Sequence, residues 1–208
     1  MNLLLKIVFL LPAISLAGAR GCSGIGKIQE LPVAEYIQWV ESEESGLHAT
    51  KTISDYTFEL QYKPLDYVVL QDKKQNDLTP AGLKAAKEDI SDMQYYTFRI
   101  QVPKGKDANK YGLSNDQEFY GRLQYFSLEM QQDLELIENG DTLPCLMFHY
   151  ERTYGIDPRA TFVMAFSSRG NSGADKTLLF SDHTLGVGTV LITISGNDIK
   201  NTPALTLN

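Results

Sequence analysis

His149-Tyr150-Glu151 opens the most polar stretch of the chain, which continues Arg152-Thr153-Tyr154-Gly155-Ile156-Asp157-Pro158. Side chains two apart on an extended strand point to the same face, so an imidazole and a carboxylate could meet there. That pairing suits general-base chemistry, in which the carboxylate tunes the imidazole. His149 and Glu151 are therefore the candidate catalytic residues of a secreted hydrolase. The same stretch leaves one strand and enters the next, where binding loops often sit on a rigid scaffold. Arg152, Tyr154 and Asp157 are its candidate binding residues. The competing reading makes Glu151 and Arg152 an ordinary surface pair, with Gly155 and Pro158 shaping a turn.

Other chemistry is poorly represented. Neither His48 nor the Asp182-His183 pair has metal-ligand spacing such as His-x-x-x-His. Zinc would need His149, His183 and Glu151 to converge from separate elements, so no metal and no cofactor is assigned. Ser167-Ser168-Arg169-Gly170 lacks the G-x-S-x-G elbow of a serine nucleophile. Gly24-Ile25-Gly26 lacks the preceding strand and the Lys-Ser/Thr ending of a phosphate loop. Cys145 sits among Leu143, Leu146, Met147 and Phe148 and reads as a buried, inert thiol. Of the eleven tyrosines, Tyr95, Tyr111, Tyr120, Tyr125, Tyr150 and Tyr154 are candidates for a recognition rim. Packing on a sheet face is the alternative.

Those residues need strands to hold them. Tyr56, Phe58, Leu60 and Tyr62 alternate with polar residues, as do Tyr96, Phe98, Ile100 and Val102, which predicts two half-buried strands. Phe126, Leu128, Met130, Leu134 and Leu136 predict a long strand, bulged at Gln132. Asn139-Gly140 is a hairpin signal, with a partner strand over 142–151. Further strands are predicted over 160–167, 177–181 and 189–194. Helices are predicted over 31–45, at Leu65 to Val69, from the Thr79-Pro80 cap to about Asp92, and from a Ser114/Gln117 capping box through Tyr120. The fold class is mainly β: an antiparallel β-sandwich or open barrel with a few short helices, the alternative being α+β.

The N-terminus supplies an address. Lys6 and the apolar run from Ile7 to Leu16 have the form of a secretory signal peptide, too short for a spanning helix of ~20 residues. Cleavage after Ala17-Gly18-Ala19 would release a chain starting at Arg20. The alternative makes Cys22 the first, lipid-modified residue. Ala19-Arg20-Gly21-Cys22 resembles the lipobox of bacterial lipoproteins at Gly21 and Cys22, with Ala19 in place of the usual Leu and Arg20 in place of a small residue. The body is similar to uncharacterised cell-envelope lipoproteins in its hairpin, its Tyr-Gly-Ile-x-Pro loop and its glycine-rich final strands. The resemblance implies a signal peptide over 1–21, lipidation at Cys22 and, with Ser23 rather than Asp next, the outer membrane. The tether is 22–30 and a single β-rich domain with an N-terminal helix is 31–208. A disulfide between Cys22 and Cys145 is the rival use of the same sulfur.

Composition narrows the partners. Lys and Arg number 19 against 26 Asp and Glu, a net charge of −7, and losing a leader with Lys6 and Arg20 deepens that by two. An acidic body argues against nucleic acid and against electrostatic adhesion to anionic lipid. Membrane lipid would be met only through the N-terminal anchor. The function expected is non-enzymatic binding of another protein or a glycan through loops of the domain. The alternatives are the hydrolase and a subunit of an envelope assembly.

Overall fold

A computed structural model describes residues 29–72, 78–153, 155–170 and 173–207. Residues 1–28, Cys22 among them, and Tyr154 lie outside them, and with them the signal-peptide, lipidation and disulfide readings. The chain is mainly β, in three mostly antiparallel sheets with short helices packed against them. Five strands form one sheet in the order β2 (His48–Ile53), β3 (Tyr56–Lys63), β4 (Met93–Gln101), β8 (Ala160–Ser167) and β7 (Met147–Glu151). Four form the second: β10 (Thr189–Ile194), β9 (Lys176–Ser181), β5 (Leu134–Glu138) and β6 (Asp141–Pro144). The third is a parallel pair of β1 (Glu30–Pro32) and β11 (Ala204–Thr206).

The alternation of β3 and β4 sends Phe58, Leu60, Phe98 and Ile100 inward, all fully buried. Phe180 of β9 meets Phe58 and Phe98 at 6.3 and 5.8 Å between ring centroids, which joins the two large sheets across one core. The odd-numbered residues of β3 and β4 (Thr57, Glu59, Gln61, Arg99, Gln101) face the other side. Asn139 and Gly140 adopt φ of 53° and 83° and join β5 to β6, as a primed hairpin turn requires.

Four predicted elements are corrected. The strand over 126–136 is helical for most of its length. The helix α4 (Asp116–Gln124) runs into a π turn (Tyr125–Glu129) and a 3-10 turn (Met130–Asp133), and extended chain starts only at Leu134. Leu123, Phe126 and Met130 carry the helical spacing and face the core, whereas Leu128 is exposed; the period of two came from that outward leucine. The cap of α4 is Asn115, not Ser114. Asn115 Oδ1 accepts from Glu118 N at 3.0 Å, and Glu118 Oε2 accepts from Ser114 N at 2.8 Å, so the capping box is displaced by one residue.

The strand over 142–151 is two strands in different sheets. The chain crosses between β6 and β7 at Cys145-Leu146, where Gln131 Nε2 donates to Cys145 O at 3.0 Å. Cys145 is buried there, and burial pushes its thiol up to about 12, far from a nucleophile. The N-terminal helix is also shorter than 31–45. The chain from Glu30 to Pro32 is strand β1, α1 is Val33–Glu41, and a 3-10 turn (Glu43–Ser45) ends at Gly46 with φ 73°. Strands β2 and β11 and the helix α5 (Gly196–Lys200) carry no sequence signal used above. The remaining helices are α2 (Leu65–Asp72) and α3 (Pro80–Asp89), and Thr79 caps α3 as predicted, its Oγ1 accepting from Gly82 N at 3.1 Å.

Candidate functional site

His149 and Glu151 share a face of β7, but both are exposed at the edge of the five-stranded sheet and form no hydrogen bond or ion pair with each other. Neither lines the grooves described below. Asp182 has a structural part. Its carboxylate accepts backbone N–H groups from Thr184, Leu185 and Val187 at 2.7–2.8 Å, closing the turn between β9 and β10. His183 lies 3.4 Å from Asp133 rather than beside His149. Among the described residues, no three His, Cys, Asp or Glu side chains group as metal ligands.

The loop after β7 does belong to a shaped surface. Arg152 and Thr153 line a groove of about 270 Å³ with Asp107, Asn109, Lys110, Phe119 and Tyr150. The walls are pinned. Tyr150 donates its hydroxyl to Asn109 Oδ1 at 2.6 Å, Ala108 N donates to Pro158 O at 2.8 Å, and Arg152 Nη2 donates to Ser127 Oγ at 2.9 Å. Behind them the buried Arg122 of α4 donates Nη1 to Ala108 O and Tyr111 O, tying helix to loop. The groove continues past Lys110 and Phe119, whose cation–π contact is 5.2 Å, to Asn115, Asp116 and Tyr120. Large apolar side chains stand out of these same segments: Tyr120 is 67% exposed, Leu128 72% and Ile156 92%. Of the tyrosines proposed for a rim, Tyr120 is exposed, Tyr95 and Tyr111 are half-buried, and Tyr125 and Tyr150 are packed inside.

A second concavity, which sequence reasoning missed, lies on the outer face of β2, β3 and β4. About 400 Å³ is lined by Glu41, Glu43, His48, Glu59, Gln61, Tyr67, Arg99, Gln101 and Arg159. Asp157 acts here: its carboxylate grips the Arg159 guanidinium at Nε and Nη2, at 2.7–3.1 Å. That bond holds the Asp157 carboxyl below its ordinary range against the opposing effect of burial. Arg99 Nη1 donates to Glu59 Oε1 at 2.7 Å, and His48 Nδ1 is 3.5 Å from the same oxygen. His48 Nε2 donates to Val40 O at 2.9 Å, at the C-terminal end of α1. The signal available in the sequence was period-two alternation, which puts Glu59 and Arg99 on one face; their register opposite each other is a tertiary fact.

The His48–Glu59 pair sets a pH dependence. Burial works against the imidazolium, but the Glu59 and Val40 bonds and the Glu59 charge outweigh it, so the His48 pKa is raised. Glu59 is lowered, first by the His48 bond, then by Arg99, against burial. A raised histidine stabilises fully below its unfolded pKa of about 6.5 and loses that as pH rises through the folded value. A lowered glutamate stabilises fully above its unfolded pKa of about 4.3 and loses that as pH falls through the folded value. The stability difference between wild type and His48→Gln, measured by urea titration, is therefore expected to be largest at about pH 5–6 and to shrink on both sides. A difference flat from pH 4 to pH 9 would refute it.

No protein-family model, no curated protein and no solved structure matches this chain.

Proposed function

We propose that the chain is a non-enzymatic binding domain of the cell envelope, anchored by lipid on Cys22, that docks another protein through its loop end. The observation that carries it is that Arg152 and Lys110 line one groove and Lys110 and Tyr120 its continuation, while Leu128 and Ile156 stand exposed next in the chain to Ser127, which Arg152 holds, and to Gly155, which lines the groove. Exposed aromatic and aliphatic side chains beside arginine are the composition of protein–protein hot spots. Loops held in place before binding lose less conformational freedom on docking. The π turn supports the reading, since such turns recur at functional sites, and this one presents Leu128 and the serine that Arg152 holds. The leader and Cys22 support the anchor.

In-cell crosslinking to the partner is expected to drop at least ~10-fold with Ile156→Asp or Tyr120→Ala, the loss of about 1.4 kcal/mol that one hot-spot residue supplies. Leu191→Asp, on the exposed face of β10, serves as the control and leaves it unchanged. Equal capture by all variants would sink the docking reading. Intact mass of the membrane-extracted protein tests the anchor separately, through a diacylglyceryl-sized increment on a chain starting at Cys22. A second reading, a glycan ligand, is favoured by Asn115, Asp116 and Tyr120 lining one groove. Glycan-array binding lost with Tyr120→Ala but kept with Ile156→Asp would select it.

A further inference from the structure

The polar cleft over β2, β3 and β4 has its charges sorted along its length. At one end are Glu41 and Glu43, where α1 finishes. Helix C-termini carry partial negative charge and favour cations. Glu41 accepts the Tyr67 hydroxyl at 2.8 Å with one oxygen, and the Glu43 carboxylate has no side-chain partner among the described residues. At the other end are Arg99 of β4 and Arg159, which enters β8. Each guanidinium is held by a carboxylate, Arg99 through Nη1 by Glu59 and Arg159 along its Nε/Nη2 edge by Asp157. Nε and Nη2 of Arg99 and Nη1 of Arg159 bond no other group among the described residues. Fixed guanidiniums with open N–H groups are preorganised for a carboxylate, which they bind in bidentate fashion. Between the poles stand His48, Glu59, Gln61 and Gln101, a polar floor.

We propose that this cleft binds a short peptide with both ends free, its ammonium toward Glu41 and Glu43 and its carboxylate toward Arg99 and Arg159. A simple anion is disfavoured by the two glutamates, and a simple cation would leave the open guanidinium N–H groups unmatched. Adjacent strands lie about 4.8 Å apart, so the span from β2 to β4 or β8 is roughly 10–14 Å. At about 3.3–3.6 Å per residue, three or four extended residues cover it. The cleft volume of about 400 Å³ lies within the range of small-ligand sites. This site is separate from the loop end, and neither reading depends on the other.

The test is a titration of the ¹⁵N-labelled full-length protein with tetra-alanine and with a mixed pool of tetrapeptides, following the Arg99 and Arg159 Nε–Hε resonances. Both resonances are expected to shift on adding free-ended peptide, and N-acetylation or C-amidation of the peptide is expected to weaken binding at least tenfold. Glu43→Gln, at an exposed position, should erase the difference between free and acetylated peptide. Arg159→Gln should erase the difference between acid and amide. Absence of any shift at millimolar peptide overturns the proposal, as does binding indifferent to both blocking groups.

Discussion

Replacing Lys176 by Met is expected to destabilise the protein by about 3–5 kcal/mol, the range for removing one partner of a buried ion pair. Lys176 and Glu138 face each other across β9 and β5, Nζ 2.5 Å from Oε1, and Glu138 is 1% exposed. They stand on the inner face of the four-stranded sheet, where hydrophobic residues otherwise alternate inward. Glu138 Oε2 accepts from Gln94 Nε2 at 2.9 Å, and Gln94 Oε1 accepts from the buried Tyr96 hydroxyl at 2.7 Å. The pair therefore anchors a polar chain that joins the two large sheets through strand β4. Removing the lysine leaves a carboxylate in the core with no water to solvate it. The double variant Lys176→Met with Glu138→Leu is expected to recover most of the loss, because two matched apolar groups replace two desolvated ions. Urea midpoints of the three proteins decide the matter, and a single variant within 1 kcal/mol of wild type would refute it.

Phe162→Ala is expected to have a comparable effect, about 3–5 kcal/mol, and a fall in Tm of roughly 6–20 °C for a chain of this length. Phe162 is fully buried on β8 and meets four other rings: Phe98, Phe126, Phe148 and Tyr150, with centroids 5.1–6.1 Å apart. Truncation leaves a cavity that the rings from β7, from β4 and from the π turn cannot jointly close. The loss should reach the surface, because Tyr150 holds Asn109 and Phe126 underlies the turn that presents Leu128. Hydrogen exchange in 104–113 and 125–133 is therefore expected to accelerate along with the fall in midpoint. Unchanged exchange there would mean that the loop end does not rest on this cluster.

The sheet was legible wherever alternation was strict. Tyr56 to Tyr62 and Tyr96 to Val102 became β3 and β4, and Asn139-Gly140 became a hairpin. Alternation failed at 126–136, because an outward leucine in a π turn imitates a strand. It failed again at Cys145, since local pattern does not say that a chain changes sheets. The loop after β7 was singled out by its density of polar residues, and of its three candidate residues Tyr154 lies outside the described residues, Arg152 lines the groove, and Asp157 holds an arginine in the cleft. That cleft was invisible because Glu59 and Arg99 come from two strands and Arg159 from the turn before a third, and only register brings them side by side. Lys176 and Glu138 were invisible for the same reason, being unremarkable charges until β5 and β9 pair.

Strand β1 adds itself to β11, Glu30 opposite Ala204 and Pro32 opposite Thr206. Closing a loop that long carries a large entropic penalty and no local contact to offset it. The first described strand has therefore no pairing partner until the last one has been made. In a chain that emerges N-terminus first, β1 stays unpaired until the last residues follow, whereas α1 can dock earlier, through His48, Gln61 and Tyr67. Maturation would then finish with a seam closing at the two ends of the chain, after the sandwich between them has already collapsed.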